Sequence, residues 1–177
     1  MNTPAHRLAH PFARRFVLLA MLLFTATGAF ALTIPHEAAG IELTIPDTWK
    51  YEIDGEVLTI EAPEEGVAFV MGVAGDKEIT EVLDELEKGL EKELGPITTG
   101  KANEEPVNGM PAWSMLGTAK KGQVEVEFLF VKTPSGQMLF SQYYAAKVLS
   151  EKYADQVKSI YDSIKPLPTP PKGRGRK

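Results

Sequence analysis

One alternating stretch, residues 124–131, constrains the fold more than any other part of the chain, because it reads V-E-V-E-F-L-F-V. Successive side chains of a β-strand point to opposite faces. One face would therefore carry Val124, Val126, Phe128 and Phe130, and the other Glu125, Glu127, Leu129 and Val131. Turn-forming segments at 120–123 and 133–136 separate this stretch from strand-like runs at 112–119 and 137–145. Short turns join antiparallel neighbours, so we predict a three-stranded meander in which Phe128 is buried.

The region before the meander predicts further strands. Residues 41–45 (I-E-L-T-I) alternate in hydrophobicity, and Asp54-Gly55 is a strong two-residue turn that would join strands at 50–53 and 56–61. Residues 67–74 (V-A-F-V-M-G-V-A) are apolar on both faces, which indicates a central strand with a layer packed on each side. The less regular segment 97–107 includes another strand.

Two segments have the spacing of amphipathic helices. The first has Asp76 as its N-cap, Gly95-Pro96 as its stop, and an apolar face formed by Ile79, Val82, Leu83, Leu86, Leu90 and Leu94. The second is capped by Ser150, and its apolar face comprises Tyr153, Val157, Ile160, Tyr161 and Ile164. The predicted fold class is α+β, with an antiparallel β-sheet flanked by helices on both faces.

Residues 1–31 have the pattern of a signal peptide. Three arginines precede an apolar run of nine residues, 16–24, and A-F-A at 29–31 matches a signal peptidase site. An uncleaved anchor is the alternative, but nine apolar residues fall short of the ~20 that a spanning helix needs. We expect cleavage after Ala31 and a periplasmic or secreted protein.

The mature chain would have 146 of the 177 residues, which suits one domain at 32–165. The chain contains no cysteine, so its core has no disulfide support. All 24 acidic residues but only 11 of the 19 Lys and Arg lie between Leu32 and Ile164, a net charge of −13. Such an acidic body disfavours nucleic acid as a partner, because phosphate binding depends on Lys and Arg.

The C-terminal segment 166–177 has the opposite charge. It is rich in proline and glycine, contains no acidic residue and has one large apolar residue, so we predict that it is disordered. Its basic residues, Lys172, Arg174, Arg176 and Lys177, would serve as a surface tether that makes weak contact with an anionic surface or partner. An inert solubilising tail is the alternative.

Three short motifs follow one another along the chain: I-P-D-T-W at 45–49, N-G-M-P-A at 108–112 and D-S-I-K at 162–165. With the order of strands and helices, they make residues 38–165 resemble the PsbP-like superfamily, which includes the photosystem II extrinsic subunit PsbP, DcrB-like bacterial envelope proteins and a Ran-binding import factor. The resemblance implies an α/β/α sandwich, a binding, assembly or accessory role, and no shared enzyme activity. The photosynthetic members bind metal through residues that we cannot locate here, so we carry over no cofactor or metal ligand.

Few residues suggest catalysis. His36 is the only histidine after the signal, so a Ser-His-Asp triad would require it; a solvated or loosely packed histidine is the simpler interpretation. Glu125 and Glu127 would lie about 7 Å apart on one strand face. Paired carboxylates can hydrolyse glycosides, but no second polar cluster points to the same place. We therefore interpret the pair as solvated.

Two acidic runs offer oxygen ligands for a hard cation such as Ca²⁺: Glu61, Glu64 and Glu65, and Glu104 and Glu105. Neither has the spacing of a calcium-binding loop. Trp49 and Trp113 are expected to pack in the core or at a sheet rim, with a role in a binding groove as the alternative. Tyr143 and Tyr144 would point to opposite faces of their strand.

These observations predict a non-catalytic, exported binding or assembly module with an unidentified envelope protein as its partner. Two alternatives are a carrier of an apolar ligand held between the sheet and a helix, and a hydrolase that uses carboxylates. A large apolar cavity would favour the carrier, and a carboxylate pair in a cleft would favour the hydrolase.

Overall fold

The computed structural model describes residues 31–168. The predicted signal peptide, apart from Ala31, and the four basic residues of the predicted tether lie outside the described residues. The two helices are α1 (Ile79–Leu94) and α2 (Lys147–Ser163). The strands are β1 (Ala31–His36), β2 (Ile41–Pro46), β3 (Lys50–Asp54), β4 (Val57–Glu61), β5 (Val67–Val73), β6 (Thr98–Thr99), β7 (Asn103–Glu104), β8 (Ala112–Ala119), β9 (Val124–Lys132), β10 (Met138–Ala146) and β11 (Lys165–Pro166).

An eight-stranded antiparallel sheet forms the centre, in the order β3-β4-β5-β10-β9-β8-β6, with β7 also paired to β8. The predicted meander is confirmed as β8, β9 and β10, and Phe128 lies opposite Met115 on one side and Gln142 on the other. Strand β5, which is apolar on both faces, lies between β4 and β10, as its sequence predicts. A second sheet, β1-β2-β11, was not predicted as a separate layer.

The two faces of the large sheet carry separate cores. On one face, Phe128 and Phe130 pack with α1, whose Val82 and Leu90 are buried. On the other face, Leu129 and Val131 pack with the small sheet and with α2. The predicted alternation along β9 and the burial of Phe128, whose side chain is fully buried, are both confirmed. Within residues 31–168, no helix is long and apolar enough to cross a membrane.

The motifs at 108–112 and 162–165 meet at the C-terminal end of α2, together with Thr44, the residue that precedes the motif at 45–49. The Asn108 side chain donates hydrogen bonds to the carbonyl oxygens of Asp162 (2.7 Å) and Ile164 (2.6 Å). The Ser163 hydroxyl accepts a hydrogen bond from the Thr44 amide at 2.8 Å. We call these contacts of Asn108 and Ser163 the C-terminal anchor. A helix end leaves carbonyl groups without intrahelical partners, so the anchor both satisfies them and fixes α2 on the sheet.

Both predicted helix caps are wrong. Helix α1 begins after Glu78, so Asp76 is outside it and does not cap it. Helix α2 begins three residues before Ser150, whose hydroxyl donates to the Lys147 carbonyl oxygen at 3.0 Å. Neither start has a side-chain cap. The turn of α2 that precedes Ser150 contains Lys147, Val148 and Leu149, which carry no capping signal in the sequence.

The prediction that His36 is solvated or loosely packed is also wrong, because this side chain is buried. Its Nδ1 accepts a hydrogen bond from the Ala39 amide at 3.2 Å, and its Nε2 lies 3.1 Å from the Glu56 carbonyl oxygen. Burial lowers the pKa of His36, and the carbonyl contact only partly offsets this effect. His36 therefore joins the small sheet to the β3–β4 hairpin as a neutral imidazole and is not in a catalytic arrangement.

Strand pairing also continues past residue 165, the predicted end of the domain. Pro166 pairs with Ile41, and the Leu167 amide donates to the Gly40 carbonyl oxygen at 2.9 Å. These two residues were assigned to the disordered tail because the proline-rich composition starts at Pro166. Strand pairing with β2 overrides that local composition.

Candidate binding groove

A groove of about 640 Å³ opens on the α2 face of the large sheet, between α2 and strands β8 and β9. We call it the α2 groove. Its strand side consists of Leu116, Gly117, Thr118, Glu125, Val126, Glu127 and Tyr143, and its helix side of Ser150, Glu151, Ala154, Val157, Lys158 and Tyr161. The volume falls within the ~300–1,000 Å³ of typical small-molecule sites, and most of the surface is apolar.

The groove exists because α2 covers only part of the sheet. The helix packs closely on β2, and its C-terminal anchor fixes that end. Further from the anchor, its exposed Ala154 faces Leu116 of β8 across the groove, and 59% of the Leu116 side-chain and backbone surface is exposed. An alanine is too small to close such a gap. The result is an uncovered strip of sheet beside a firmly positioned helix.

Both predicted carboxylates, Glu125 and Glu127, line the α2 groove. They do not lie at a solvated sheet edge, because β9 is flanked by β8 and β10. Glu127 is partly buried, and burial raises the pKa of its carboxyl group, while the neighbouring Tyr161 hydroxyl opposes this effect. Among residues 31–168, Glu127 forms no salt bridge, so its partly desolvated carboxylate can accept a hydrogen-bond donor or a positive charge.

A buried polar cluster lies beneath the floor of the groove. The Tyr161 hydroxyl oxygen is inaccessible to solvent and lies beside Glu127 and Ser141. Neither this hydroxyl nor that of Ser141 has a hydrogen bond of ordinary geometry within residues 31–168, although Ser141 and Glu127 both affect the pKa of Tyr161. Tyr161, Ser141 and Glu127 therefore form one polar cluster in an otherwise apolar region.

Aromatic packing holds the floor in place. The Phe69 ring lies 5.3 Å from the Tyr161 ring, edge to face, and 4.9 Å from the Tyr143 ring. Trp49 packs against Phe69 and Tyr153, and its indole N–H donates to Gln156 of α2 at 2.6 Å. Such contacts restrict side-chain motion, so the Tyr161 hydroxyl has a defined position.

Both groove tyrosines remain neutral phenols. Burial raises the pKa of Tyr143 to about 12, and the carboxylates of Glu125 and Glu127 add to this effect. Burial likewise raises the pKa of Tyr161 well above its usual range, and Glu127 again contributes. Each phenol can therefore donate or accept a hydrogen bond at neutral pH but carries no charge.

The remaining predicted aromatic residues lie outside the groove. Trp49 is buried in the core beneath it, and Trp113 packs on the opposite face near α1. Tyr143 and Tyr144 point to opposite faces, as the alternation along β10 predicts. The role of Trp49 is to position α2 through Gln156, since this tryptophan does not line the groove.

The acidic runs do not form a metal centre in the described part of the chain. Among residues 31–168, no three His, Asp or Glu side chains lie together in a way that could hold a metal ion. Glu64 instead pairs with Lys152, and the Tyr153 hydroxyl donates to the same carboxylate at 3.3 Å. The lysine lowers the pKa of Glu64.

Sequence reasoning missed Tyr161 as a residue of the groove and Ser141 as the buried hydroxyl beside it. Tyr161 was assigned to the apolar face of α2, and Ser141 belongs to the third strand of the meander. The available signal was the spacing of Ser150, Ala154, Lys158 and Tyr161, which places small and polar residues along one side of the helix beside its apolar face. That spacing indicates a helix face that is not fully packed.

Comparisons with known proteins identify the fold. No protein-family model matches the sequence, and no curated protein matches it. Among solved structures, the cyanobacterial PsbP protein CyanoP from Synechocystis sp. PCC 6803 aligns over 81% of this chain and 96% of its own, with a TM-score of 0.60 and 12% identity. The chain has a PsbP-like fold.

Two further structures align over most of their length. LpqN of Mycobacterium tuberculosis, described as involved in cell envelope biogenesis, covers 78% of this chain and 91% of its own, with a TM-score of 0.53 and 19% identity. PA94 of Pseudomonas aeruginosa, a protein of unknown function, covers 78% and 99%, with a TM-score of 0.48 and 19% identity. The large antiparallel sheet with its two helices and the alignment with CyanoP confirm the predicted α+β architecture.

Proposed function

We propose that this protein is a non-catalytic, exported binding module and that the α2 groove is its binding site. The observation that carries the proposal is the groove itself, an open and mostly apolar space with a partly desolvated carboxylate on its floor. Binding sites for small molecules are commonly apolar clefts with a few convergent polar groups. The proposal therefore combines the predicted binding module with the alternative prediction of a carrier for an apolar ligand.

Export is the second part of the proposal. It is supported by the arginine-containing apolar segment that ends in A-F-A at 29–31. It also agrees with the shared fold of LpqN, which is involved in cell envelope biogenesis. N-terminal sequencing of the protein recovered from the periplasm or medium should begin at Leu32. An intact Met1 in the exported protein would contradict cleavage.

A blocking substitution tests the site. Ala154→Trp would place a large side chain in the groove from an exposed position of α2 and should leave folding unchanged. Ser159→Trp, also exposed on α2 but outside the groove, is the matched control. Small molecules released from each protein after purification from the envelope fraction are then compared by mass spectrometry. We expect one ligand with wild type and Ser159→Trp that is missing from Ala154→Trp; the same ligand in all three would refute the groove as the site.

The predicted envelope protein partner and the tether also belong to the proposal. Full-length protein used as bait in an envelope extract should retain a specific partner. The tether is tested by truncation after Pro168, which keeps the Leu167 hydrogen bond to Gly40 and should leave the melting temperature unchanged. Each basic residue near an anionic surface contributes ~1 kcal/mol. Equal co-sedimentation of full-length and truncated protein with anionic vesicles at low salt would exclude the tether.

The carboxylate hydrolase remains a second candidate, because Glu125 and Glu127 line one groove and burial raises the pKa of Glu127. A general acid with a raised pKa beside a second carboxylate is the arrangement that glycoside hydrolysis uses. A panel of aryl glycosides tests it, with Glu127→Gln as the inactive control. We expect no turnover above that control; turnover that Glu127→Gln abolishes would replace the binding module with an enzyme.

A further inference from the structure

The charge of the α2 groove is unbalanced. Its carboxylates are Glu125 and Glu127 on β9 and Glu151 on α2. Its one lysine, Lys158, already forms an ion pair with Asp162 one turn along the helix. The whole body carries an excess of acidic residues as well. An anionic ligand would therefore meet like charges at close range, which is costly where solvent is excluded.

The floor of the groove needs a donor. Glu127 is partly desolvated, and Glu125 lies two residues away on the same strand face. An ammonium group presents three hydrogen-bond donors and no acceptor, whereas an ionised carboxylate only accepts, so the two groups are complementary. The chemistry of the floor matches a protonated amine.

The rest of the groove requires an apolar body. Leu116 lines it from the sheet, and Ala154 and Val157 line it from the helix. The space of about 640 Å³ exceeds what an ammonium group alone would fill. Burial of apolar ligand surface here would supply ~25 cal/mol per Å² of the driving force, while the acidic floor would set the orientation.

We propose that the α2 groove binds a small amphipathic amine, with its ammonium group against Glu127 and its apolar part against Leu116, Ala154 and Val157. This inference rests on the proposed function, because it names the chemical class of ligand for the same site. A free amine is favoured over a long peptide because the groove has the volume of a small-molecule site and contains one set of polar groups.

Isothermal titration calorimetry with two probes of equal chain length tests the charge preference. Octylammonium and octanoate have the same apolar part and opposite charges, and both are used below their micelle concentrations. We expect octylammonium to bind wild type with one site and octanoate to bind at least about tenfold more weakly, as expected for a hydrogen-bonded charge. Equal or tighter binding of octanoate would overturn the amine proposal.

Three variants locate the binding. Glu127→Gln should weaken octylammonium about tenfold, whereas Glu52→Gln, on the exposed strand β3, should have no effect. Glu125→Gln is the second test of the floor if Glu127→Gln proves unstable by thermal melting. Octylammonium affinity that is unchanged in both groove variants would overturn the inference.

The proposed function can be distinguished from this inference by the same measurements. Loss of binding of both probes in Ala154→Trp, but no preference for octylammonium in wild type, would leave the groove as the site and refute the amine. Failure of both probes to bind wild type would refute the amine proposal. The mass-spectrometry comparison of released ligands would then decide whether the groove is the binding site. Tighter groove binding of a lysine-containing tripeptide than of octylammonium would overturn the small-molecule assignment in favour of a protein side chain.

Discussion

The two helices cover the two faces of the large sheet in different ways. Helix α1 is held by apolar side chains, and within residues 31–168 its side-chain hydrogen bonds are to neighbouring loop residues rather than to the sheet. Helix α2 also buries apolar side chains, Tyr153, Val157 and Ile160. In addition it forms side-chain hydrogen bonds with Asn108, Trp49 and strand β2. Apolar packing alone closes a face, because every gap costs free energy. Directional hydrogen bonds can fix the position of a helix while leaving a groove along one side of it.

The largest expected effect concerns the closed face. Phe128 is fully buried beneath α1, so Phe128→Ala should lower the free energy of unfolding by ~3–5 kcal/mol. Phe128→Leu is the control and should cost less than ~1.5 kcal/mol, because it keeps most of the volume. Urea melts measure both. A loss below ~1 kcal/mol for alanine would mean that the α1 face is not tightly packed.

The next effect concerns the C-terminal anchor. Asn108 has a φ of 49°, a left-handed conformation that glycine also adopts easily. Asn108→Gly therefore removes the two hydrogen bonds without backbone strain and should cost ~1–3 kcal/mol. Asn108→Ala should cost ~1–2 kcal/mol more, because of the left-handed backbone. Since Tyr161 lies in the anchored turn, both variants should also weaken binding in the groove; unchanged stability in Asn108→Gly would show that the anchor does not hold α2.

Acid should destabilise the region around His36 before it destabilises helix α1. The pKa of His36 is lowered by burial from 6.5. Above pH 6.5 the imidazole is neutral in both states, so its contribution to stability is complete. Below 6.5 the unfolded chain binds a proton that the folded chain resists, and stability falls until the pH passes the folded pKa.

Urea melts of wild type and His36→Gln between pH 7.5 and 5 measure this difference. We expect a steeper loss of stability with acid in wild type than in the variant. Hydrogen exchange should show the loss first in β1 and β2, which contact His36, and not in α1. Parallel pH profiles for the two proteins would show that His36 does not titrate on unfolding.

The smallest effect should stabilise the protein. Gly89 lies in the middle of α1, and a Cβ atom there would meet no atom within 4 Å. Gly89→Ala should raise the free energy of unfolding by ~0.5–1 kcal/mol, because alanine loses less backbone entropy in a helix. Gly117→Ala is the contrast on the groove side, since its Cβ would lie 2.9 Å from the Thr98 carbonyl oxygen. A destabilised Gly89→Ala would show that α1 packs more closely than its contacts indicate.

Local pattern predicted most of the fold. Alternation at 124–131 identified β9 and assigned its faces correctly, and the Asp54-Gly55 turn identified the β3–β4 hairpin. The small sheet was missed because its first strand, A-L-T-I-P-H, overlaps the predicted cleavage site and contains a proline. Its third strand has only two residues, Lys165–Pro166, and depends on pairing with β2. Pairing between distant segments is not encoded in a local window.

The groove could not be predicted from the sequence for a related reason. Glu125 and Glu127 were placed correctly on one strand face, but their partial enclosure depends on where α2 lies across the sheet. That position is set by contacts such as Asn108 to Ile164, which join residues 56 positions apart. Tyr161 was identified as part of an apolar stripe, and only the tertiary structure brings its hydroxyl beside Glu127.

An NMR titration of the isotope-labelled mature protein with octylammonium tests the central claim that the α2 groove, and not the α1 face, is the binding surface. We predict that amide shift changes concentrate at residues 116–118 and 125–127 and along the groove side of α2, and that they disappear in Ala154→Trp. The amides of α1 should move little. Shift changes centred on α1, or a pattern that persists unchanged in Ala154→Trp, would contradict the account.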